Sequence, residues 1–251
     1  MMMTGEMGAR CELIVALDTS SLAEAEAMVD ALRPEVSWFK VGLELFSAAG
    51  PAALAMVRAK GGRVFADLKL HDIPNTVRGA AAAITRAGVD MFNVHAGGGR
   101  AMMAEAAKAA AAGVVAPGAA TAGKRPLVLA VTVLTSLDRA AWAETYGQDI
   151  EPQTQVVRLA ELARAAGLDG VVCSVREAAA VRDACGPDFV IVTPGVRPGG
   201  ATADDQARTA TPAEAVRAGA THIVVGRPIT RAADPRQAAL SILKELEEAA
   251  Q

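Results

Sequence analysis

The stretch LIVALDTSSLAEAEAMVDAL, residues 13–32, decides how the chain is read. An apolar, β-branched run ends at Asp18, and from Ser21 the apolar residues take up helical spacing, so the stretch predicts one strand followed by one helix. Ser20 or Ser21 can cap the first helical turn, with Glu24 three residues past Ser21 as in a capping box. The join, VALDTSS, lacks the glycine fingerprint that a doubly wound dinucleotide-binding sheet often carries after its first strand. Seven further strand candidates follow: SWFKVG from Ser37, RVFADLK from Arg63, MFNVHA from Met91, LVLAVTVL from Leu127, GVVCS from Gly170, FVIVTPG from Phe189 and HIVVGR from His222. Ala-rich segments of helical period separate them. Eight β/α modules exceed the usual strand number of an open doubly wound sheet and predict an α/β fold, a single eight-stranded parallel β/α (TIM) barrel.

The size agrees, since 251 residues is close to the ~250 typical of one barrel. One domain over residues 1–251 is expected, with residues 1–11 a loose N-terminal extension. A chain that is 52% hydrophobic and 21% charged has ample core material and is not the profile of a disordered polymer. Its 25 basic and 28 acidic residues give a net charge of -3, so no global basic field gathers nucleic acid or an acidic membrane, and an anionic ligand must be met locally. The three cysteines, Cys11, Cys173 and Cys185, are odd in number and lack Cys-x-x-Cys spacing, which argues against a disulfide framework or a zinc site. Cys173 reads as a buried strand thiol. No long apolar stretch suggests export or a spanning helix, so a cytoplasmic protein is expected.

Three repeated endings, RAGVD, RAAGLDG and RAGATH, each place glycine where a helix C-terminus favours a left-handed residue just before a strand. Two connections are long. AAAAGVVAPGAATAGKRP leads into the fifth strand, on the barrel face associated with stability, whereas GVRPGGATADDQARTATP follows the seventh, on the face where barrel enzymes keep their chemistry and where long loops act as lids.

In RVFADLKLHDIPNT the two-residue period puts Asp67 and Lys69 on one face of strand three, directed into the barrel. Such an interior pair reads structurally as a mutually neutralising ion pair. Alone, Lys40 in strand two is a lysine snorkelling to the surface, and His95 at the end of strand four a hydrogen-bonded core histidine. Convergence favours function: Asp18, Lys40, Asp67 with Lys69, and His95 all come at strand ends where catalytic residues of barrels sit. At the phosphate-binding position of barrels, strand seven runs into TPGVRP with Arg197 and strand eight into VVGRPIT with Gly226 and Arg227. Glycine permits close backbone approach and arginine offers a planar fork for phosphate oxygens. Gln206 in the long loop adds a neutral donor. Separately, Arg197 is a solvated loop charge and Gly226 a turn residue; together they favour a phosphorylated substrate.

The strings VALD, WFKVG, DLKLHDIPNT, NVHAGGG, VTVLTS, TPGVRP and VVGRPIT, in this order from Leu13 to Ile229, resemble those of the orotidine 5'-monophosphate decarboxylase family of bacterial type. The D-x-K-x-x-D element alone is shared with related sugar-phosphate decarboxylases and synthases, and the longer strings carry the specificity. The resemblance implies an alternating network of Lys40, Asp67, Lys69 and Asp72, with Lys69 as proton donor and Asp72 and Thr76 reaching across a homodimer interface. It further implies Asp18 and Lys40 on the ribose, Thr135 and Ser136 near the pyrimidine, and Arg197, Gln206, Gly226 and Arg227 around the phosphate, with no cofactor and no metal. The substrate would be a small nucleotide.

Loss of carbon dioxide from carbon 6 of orotidine monophosphate leaves an sp2 carbanion without a conventional electron sink. An ammonium on Lys69, held charged by Asp67 and Asp72, would stabilise that carbanion and then protonate it. Two rivals stand beside this reading. One is a Mg2+-dependent sugar-phosphate lyase, and the other a silent barrel that binds nucleotide phosphate without turnover. His71 and His95 as metal ligands match no compact motif.

Overall fold

Strand and helix periods alternate along the chain, and each strand–helix pair buries its apolar face against the next. In the computed structural model, which describes residues 11–113, 125–147, 149–198 and 210–251, this yields one closed barrel of parallel strands in sequence order. The strands are β1 (Glu12–Ala16), β2 (Trp38–Val41), β3 (Arg63–Leu70), β4 (Met91–His95), β5 (Leu127–Val131), β6 (Gly170–Val172), β7 (Val190–Thr193) and β8 (His222–Val225). The helices are α1 (Leu22–Leu32), α2 (Leu43–Ala49), α3 (Pro51–Ala59), α4 (Pro74–Arg86), α5 (Gly99–Ala112), α6 (Arg139–Tyr146), α7 (Pro152–Ala165), α8 (Val175–Cys185), α9 (Pro212–Arg217), α10 (Arg227–Thr230) and α11 (Pro235–Ala249). The eight-stranded barrel expected from the sequence is the observed fold. The loose extension expected over residues 1–11 falls, apart from Cys11, outside the described residues, as do the middle of the Ala/Gly-rich stretch before β5 and most of the loop after β7.

Two apolar cores follow from strand alternation. Ile14, Ala16, Trp38, Phe65, Met91, Leu129, Val192 and Val224 fill the barrel, while Val15, Phe39, Val64, Phe92, Val128 and Ile191 face the helices. Phe39, Phe65 and Phe92 are wholly buried, and complete burial of such a side chain contributes about 1.5–3 kcal/mol. At Gly170 a Cβ would stand 2.1 Å from the carbonyl oxygen of Val190, so the β6–β7 pair closes only because that position has no side chain.

The cap of α1 is Ser21, whose hydroxyl accepts from the Glu24 amide at 3.2 Å. Glu24 does not close the box; its carboxylate accepts the Thr19 hydroxyl, which itself accepts the Ser21 amide. Full capping boxes form instead at Ser174 with Glu177 and at Thr211 with Glu214. Glycines of the repeated endings, Gly88, Gly167 and Gly219, have φ of 77°, 84° and 85°, the left-handed conformation their helix ends require. The residues that follow form a repeat of their own. Asp90 accepts the Val64 amide at 2.8 Å, Asp169 the Val128 amide at 2.8 Å, and the Thr221 hydroxyl the Ile191 amide at 3.0 Å. Each of these three modules thus uses its entering side chain to satisfy a backbone donor near the start of the preceding strand.

The fifth strand is shorter than LVLAVTVL suggests. Its partner β6 has only three residues, so the ladder ends at Val131 and only Thr132 continues it, its amide and hydroxyl both donating to the Val172 carbonyl. At the N-terminal end of the barrel, Trp38 is packed edge-on against His222 at 5.5 Å, bonds to Glu12 through its indole N–H, and carries the Arg63 guanidinium 5.4 Å above its ring. Burial holds His222 down to about 4, so the imidazole in this floor is neutral at physiological pH. Among the described residues no helix is long and apolar enough to cross a membrane.

Candidate active site

At the C-terminal ends of the strands the barrel opens into a cavity of about 280 Å³ whose wall includes Asp18, Lys40, Asp67, Lys69, Thr135, Arg197, Gly226 and Arg227. Four of these form a chain of alternating charge. Lys40 Nζ lies 3.0 Å from Asp18 Oδ1 and 3.4 Å from Asp67 Oδ2, and Lys69 Nζ lies 2.7 Å from Asp67 Oδ1. The two middle members are deeply set, with side chains only 12% and 13% exposed, while Asp18 is 53% exposed at the rim.

Burial by itself disfavours charge on both middle groups, yet their partners prevail. Asp67 and Asp18 hold the Lys40 ammonium above the usual lysine range, and Lys40, Lys69 and Asn93 hold the Asp67 carboxyl below the usual carboxylate range. Both are therefore charged throughout the physiological range. Packing around Lys40 is close enough that a Cβ on Gly42 would fall 2.8 Å from its Nζ, so glycine leaves room for the ammonium.

Lys69 is held unusually. With φ of 50° it is the only non-glycine residue of positive φ among the described residues, a conformation costing on the order of 1–3 kcal/mol. It sits in an interruption of the β3–β4 ladder, where Ala66 pairs with Phe92 and the next pair is Leu70 with Val94. Asp67, Leu68 and Lys69 therefore stand opposite Asn93 alone. The excess on β3 is even, so the alternation of faces survives: Leu68 and Leu70 pack outward while Asp67 and Lys69 both reach the cavity.

At the opposite wall, Arg197 is 9% exposed and its amide bonds to the Ala210 carbonyl at 2.9 Å, so the two described flanks of the β7 loop pair as a parallel bridge at Val196 and Ala210. Gly226 caps α10, and a Cβ there would stand 3.4 Å from Asp18 Oδ2, which brings the β8 end against the acidic rim. The cavity is thus cationic at the Arg197–Arg227 side and of alternating sign on the β2–β3 side, with apolar Val131, Val133 and Val172 between.

A model described as the orotidine 5'-phosphate decarboxylase / HUMPS family matches residues 12–242. The chain belongs to this family. An orotidine 5'-phosphate decarboxylase from Moorella thermoacetica is 59% identical over 96% of this chain and 94% of its own length, and one from Syntrophotalea carbinolica is 52% identical over 95% and 96%. The crystal structure of orotidine 5'-phosphate decarboxylase from Lactobacillus acidophilus superposes with a TM-score of 0.83 at 38% identity, covering 94% of this chain and 99% of that one.

Within this member of the decarboxylase family, the barrel brings Asp18, Lys40, Asp67, Lys69, Thr135, Arg197, Gly226 and Arg227 to one cavity. Others named from the sequence lie elsewhere. Ser136 is exposed beyond the β5 end, and Asp72 and Thr76 are exposed around the start of α4, beside Ile73, which is 67% exposed. His95 is half-buried with its ring 5.3 Å from that of His71; burial, His71 and Lys69 push it below the usual histidine range against the opposing pull of Asp67. Gln206 lies outside the described residues. Cys173 borders the cavity, but its thiol is wholly buried and burial pushes it far above the range in which a thiolate forms. Asn93 was not singled out in the sequence, although it shares the inward parity of Met91 and His95. An amide among the apolar residues of a barrel strand was the available signal.

Proposed function

We propose that this chain decarboxylates orotidine 5'-monophosphate to uridine 5'-monophosphate, a step of de novo pyrimidine biosynthesis, without a cofactor. The bond from carbon 6 to the carboxylate breaks, its electron pair stays on carbon 6, and carbon dioxide leaves. The Lys69 ammonium stabilises the carbanion and transfers a proton to it, leaving a neutral amine that solvent reprotonates. One observation carries the reading: an unbroken Asp18–Lys40–Asp67–Lys69 chain of alternating charge, with contacts of 3.0, 3.4 and 2.7 Å, on the wall of a cavity whose far side carries two arginines. The names of the relatives supply the pyrimidine substrate.

In this reading Asp67 and Asp72 keep Lys69 charged, Asp18 and Lys40 hold the ribose, Thr135 and Ser136 meet the pyrimidine, and His95 contributes to substrate binding. Arg197, Gln206, Gly226 and Arg227 take the phosphate. Mixing purified protein with orotidine monophosphate in the presence of EDTA and following the pyrimidine absorbance tests it. Full turnover is expected; activity that vanishes with EDTA and returns with Mg2+ would favour a metal-dependent lyase, and no turnover by folded protein would refute the assignment.

The protein is further proposed to act as a homodimer in which Asp72 and Thr76 of one subunit complete the site of its partner. Their exposure beside Ile73, away from the cavity of their own subunit, supports this. Unfolding and co-refolding Lys69→Ala with Asp72→Ala protein tests it. Half of the random dimers are mixed and each has one intact site, so about a quarter of wild-type activity should return from two inactive parents. If Asp72 served its own subunit, the mixture would stay inactive.

A further inference from the structure

A fully buried amide sits behind the charge chain without bordering the cavity. Asn93, in β4, is 0% exposed, and such a group is costly to bury unless its polar atoms are bonded. Its Oδ1 accepts the Lys69 backbone N–H at 2.8 Å and its Nδ2 donates to Asp67 Oδ1 at 2.7 Å. It is also the one residue of β4 opposite the segment Asp67–Leu68–Lys69, where the ladder between the strands slips. There the regular partner of the Lys69 amide is lost, and the Asn93 side chain takes its place.

We infer that Asn93 is a positioning residue for the proposed decarboxylation: it holds the left-handed backbone of Lys69 and the carboxylate of Asp67 so that the Lys69 ammonium is aimed at the reacting carbon. This rests on the reading of Lys69 as proton donor. The two bonds divide the work. The first satisfies the backbone donor that the slipped ladder leaves behind, which lets a lysine keep φ of 50°. The second occupies one side of Asp67 Oδ1, the same oxygen that receives Lys69 Nζ at 2.7 Å, so the carboxylate cannot rotate without breaking both contacts. Leucine keeps the branched shape of asparagine, with somewhat bulkier methyl ends, but makes neither bond, and the melting temperature reports any cost of the added bulk. Aspartate retains an acceptor for the amide but, when ionised, opposes Asp67 with a second negative oxygen at the position of the donor.

The test measures kcat and KM for orotidine monophosphate across pH in Asn93→Leu and Asn93→Asp, with the melting temperature and affinity for uridine monophosphate as controls. For Asn93→Leu, kcat is expected to fall about a hundredfold, the effect of misplacing a reacting group by about 1 Å, while KM and nucleotide affinity change little, because Asn93 does not border the cavity. For Asn93→Asp, two carboxyl groups that share a site raise the pKa of one of them. Its kcat should therefore climb as pH falls from 8 toward 5.5 (on the order of one proton's titration), as the acid form regains a donor to Asp67, whereas the wild type shows no such climb. A purely structural amide would lower stability without creating that pH dependence. Leucine-variant kcat within about threefold of wild type, well short of the loss expected from misplacement, or a flat aspartate profile, overturns the proposal. Lys69→Ala in the same assay separates the two readings: if it retains turnover, the proton-donor assignment fails, whereas an inactive Lys69→Ala beside a fully active Asn93→Leu fails the positioning role alone.

Discussion

Lys69→Ala protein should fold, bind uridine monophosphate with near wild-type affinity, and decarboxylate orotidine monophosphate at least about 10,000-fold more slowly. The size follows from two roles lost together. General acid catalysis contributes roughly 100- to 10,000-fold, and removal of a group that stabilises developing charge costs roughly another 100- to 1,000-fold. The fold should survive because Asp67 keeps Lys40 at 3.4 Å and Asn93 at 2.7 Å, so its buried carboxylate is not left alone. Stopped-flow or steady-state absorbance gives the rate, and calorimetry the nucleotide affinity. Turnover within about tenfold of wild type would remove Lys69 from the chemical step, since a lost general acid alone should cost more. Unchanged binding with no turnover would also distinguish an enzyme from a barrel that only holds nucleotide.

Arg227→Ala should lower kcat/KM for orotidine monophosphate by a factor on the order of one hundred to one thousand, while leaving the much slower reaction of orotidine, which has no phosphate, unchanged. Loss of one partner from a desolvated charge pair costs about 2–5 kcal/mol, and each 1.4 kcal/mol is about tenfold. Arg227 follows β8, three strands around the barrel from the β3 that carries Lys69, so in the proposed function its contact is remote from carbon 6. Remote binding of this kind can be used to close a site and align the reacting group, in which case kcat falls as well as affinity. A near-normal kcat/KM would sink the phosphate assignment. An equal loss with orotidine would mean that Arg227 supports the barrel rather than the phosphate.

Arg227 and the charged residues of β2 and β3 illustrate how much is legible in the sequence. Arg227 follows a short β-branched run and a glycine at the eighth module, so counting modules was enough to put it at the catalytic end. Lys40 and Asp67 could be assigned inward by parity with Trp38 and Phe65, which fill the barrel. Their partnership could not, because Lys40 and Asp67 are 27 residues apart and meet only when β2 and β3 align in register. His95 carries the same inward parity, yet its ring rests against that of His71, from the turn after β3, rather than on the cavity wall.

The sequence alone determined the modules and their facings. A period of two or of 3.6, a serine or threonine before a helix and a glycine after one are local, and local geometry acts on residues a few positions apart. Only the tertiary structure decided that β3 slips against β4 by an even number of residues, that Lys69 is thereby turned to positive φ, and that Asn93 bonds both its amide and Asp67. Ladder register depends on how two strands with a helix between them close into a barrel. That is a non-local choice, and no spacing within either strand records it.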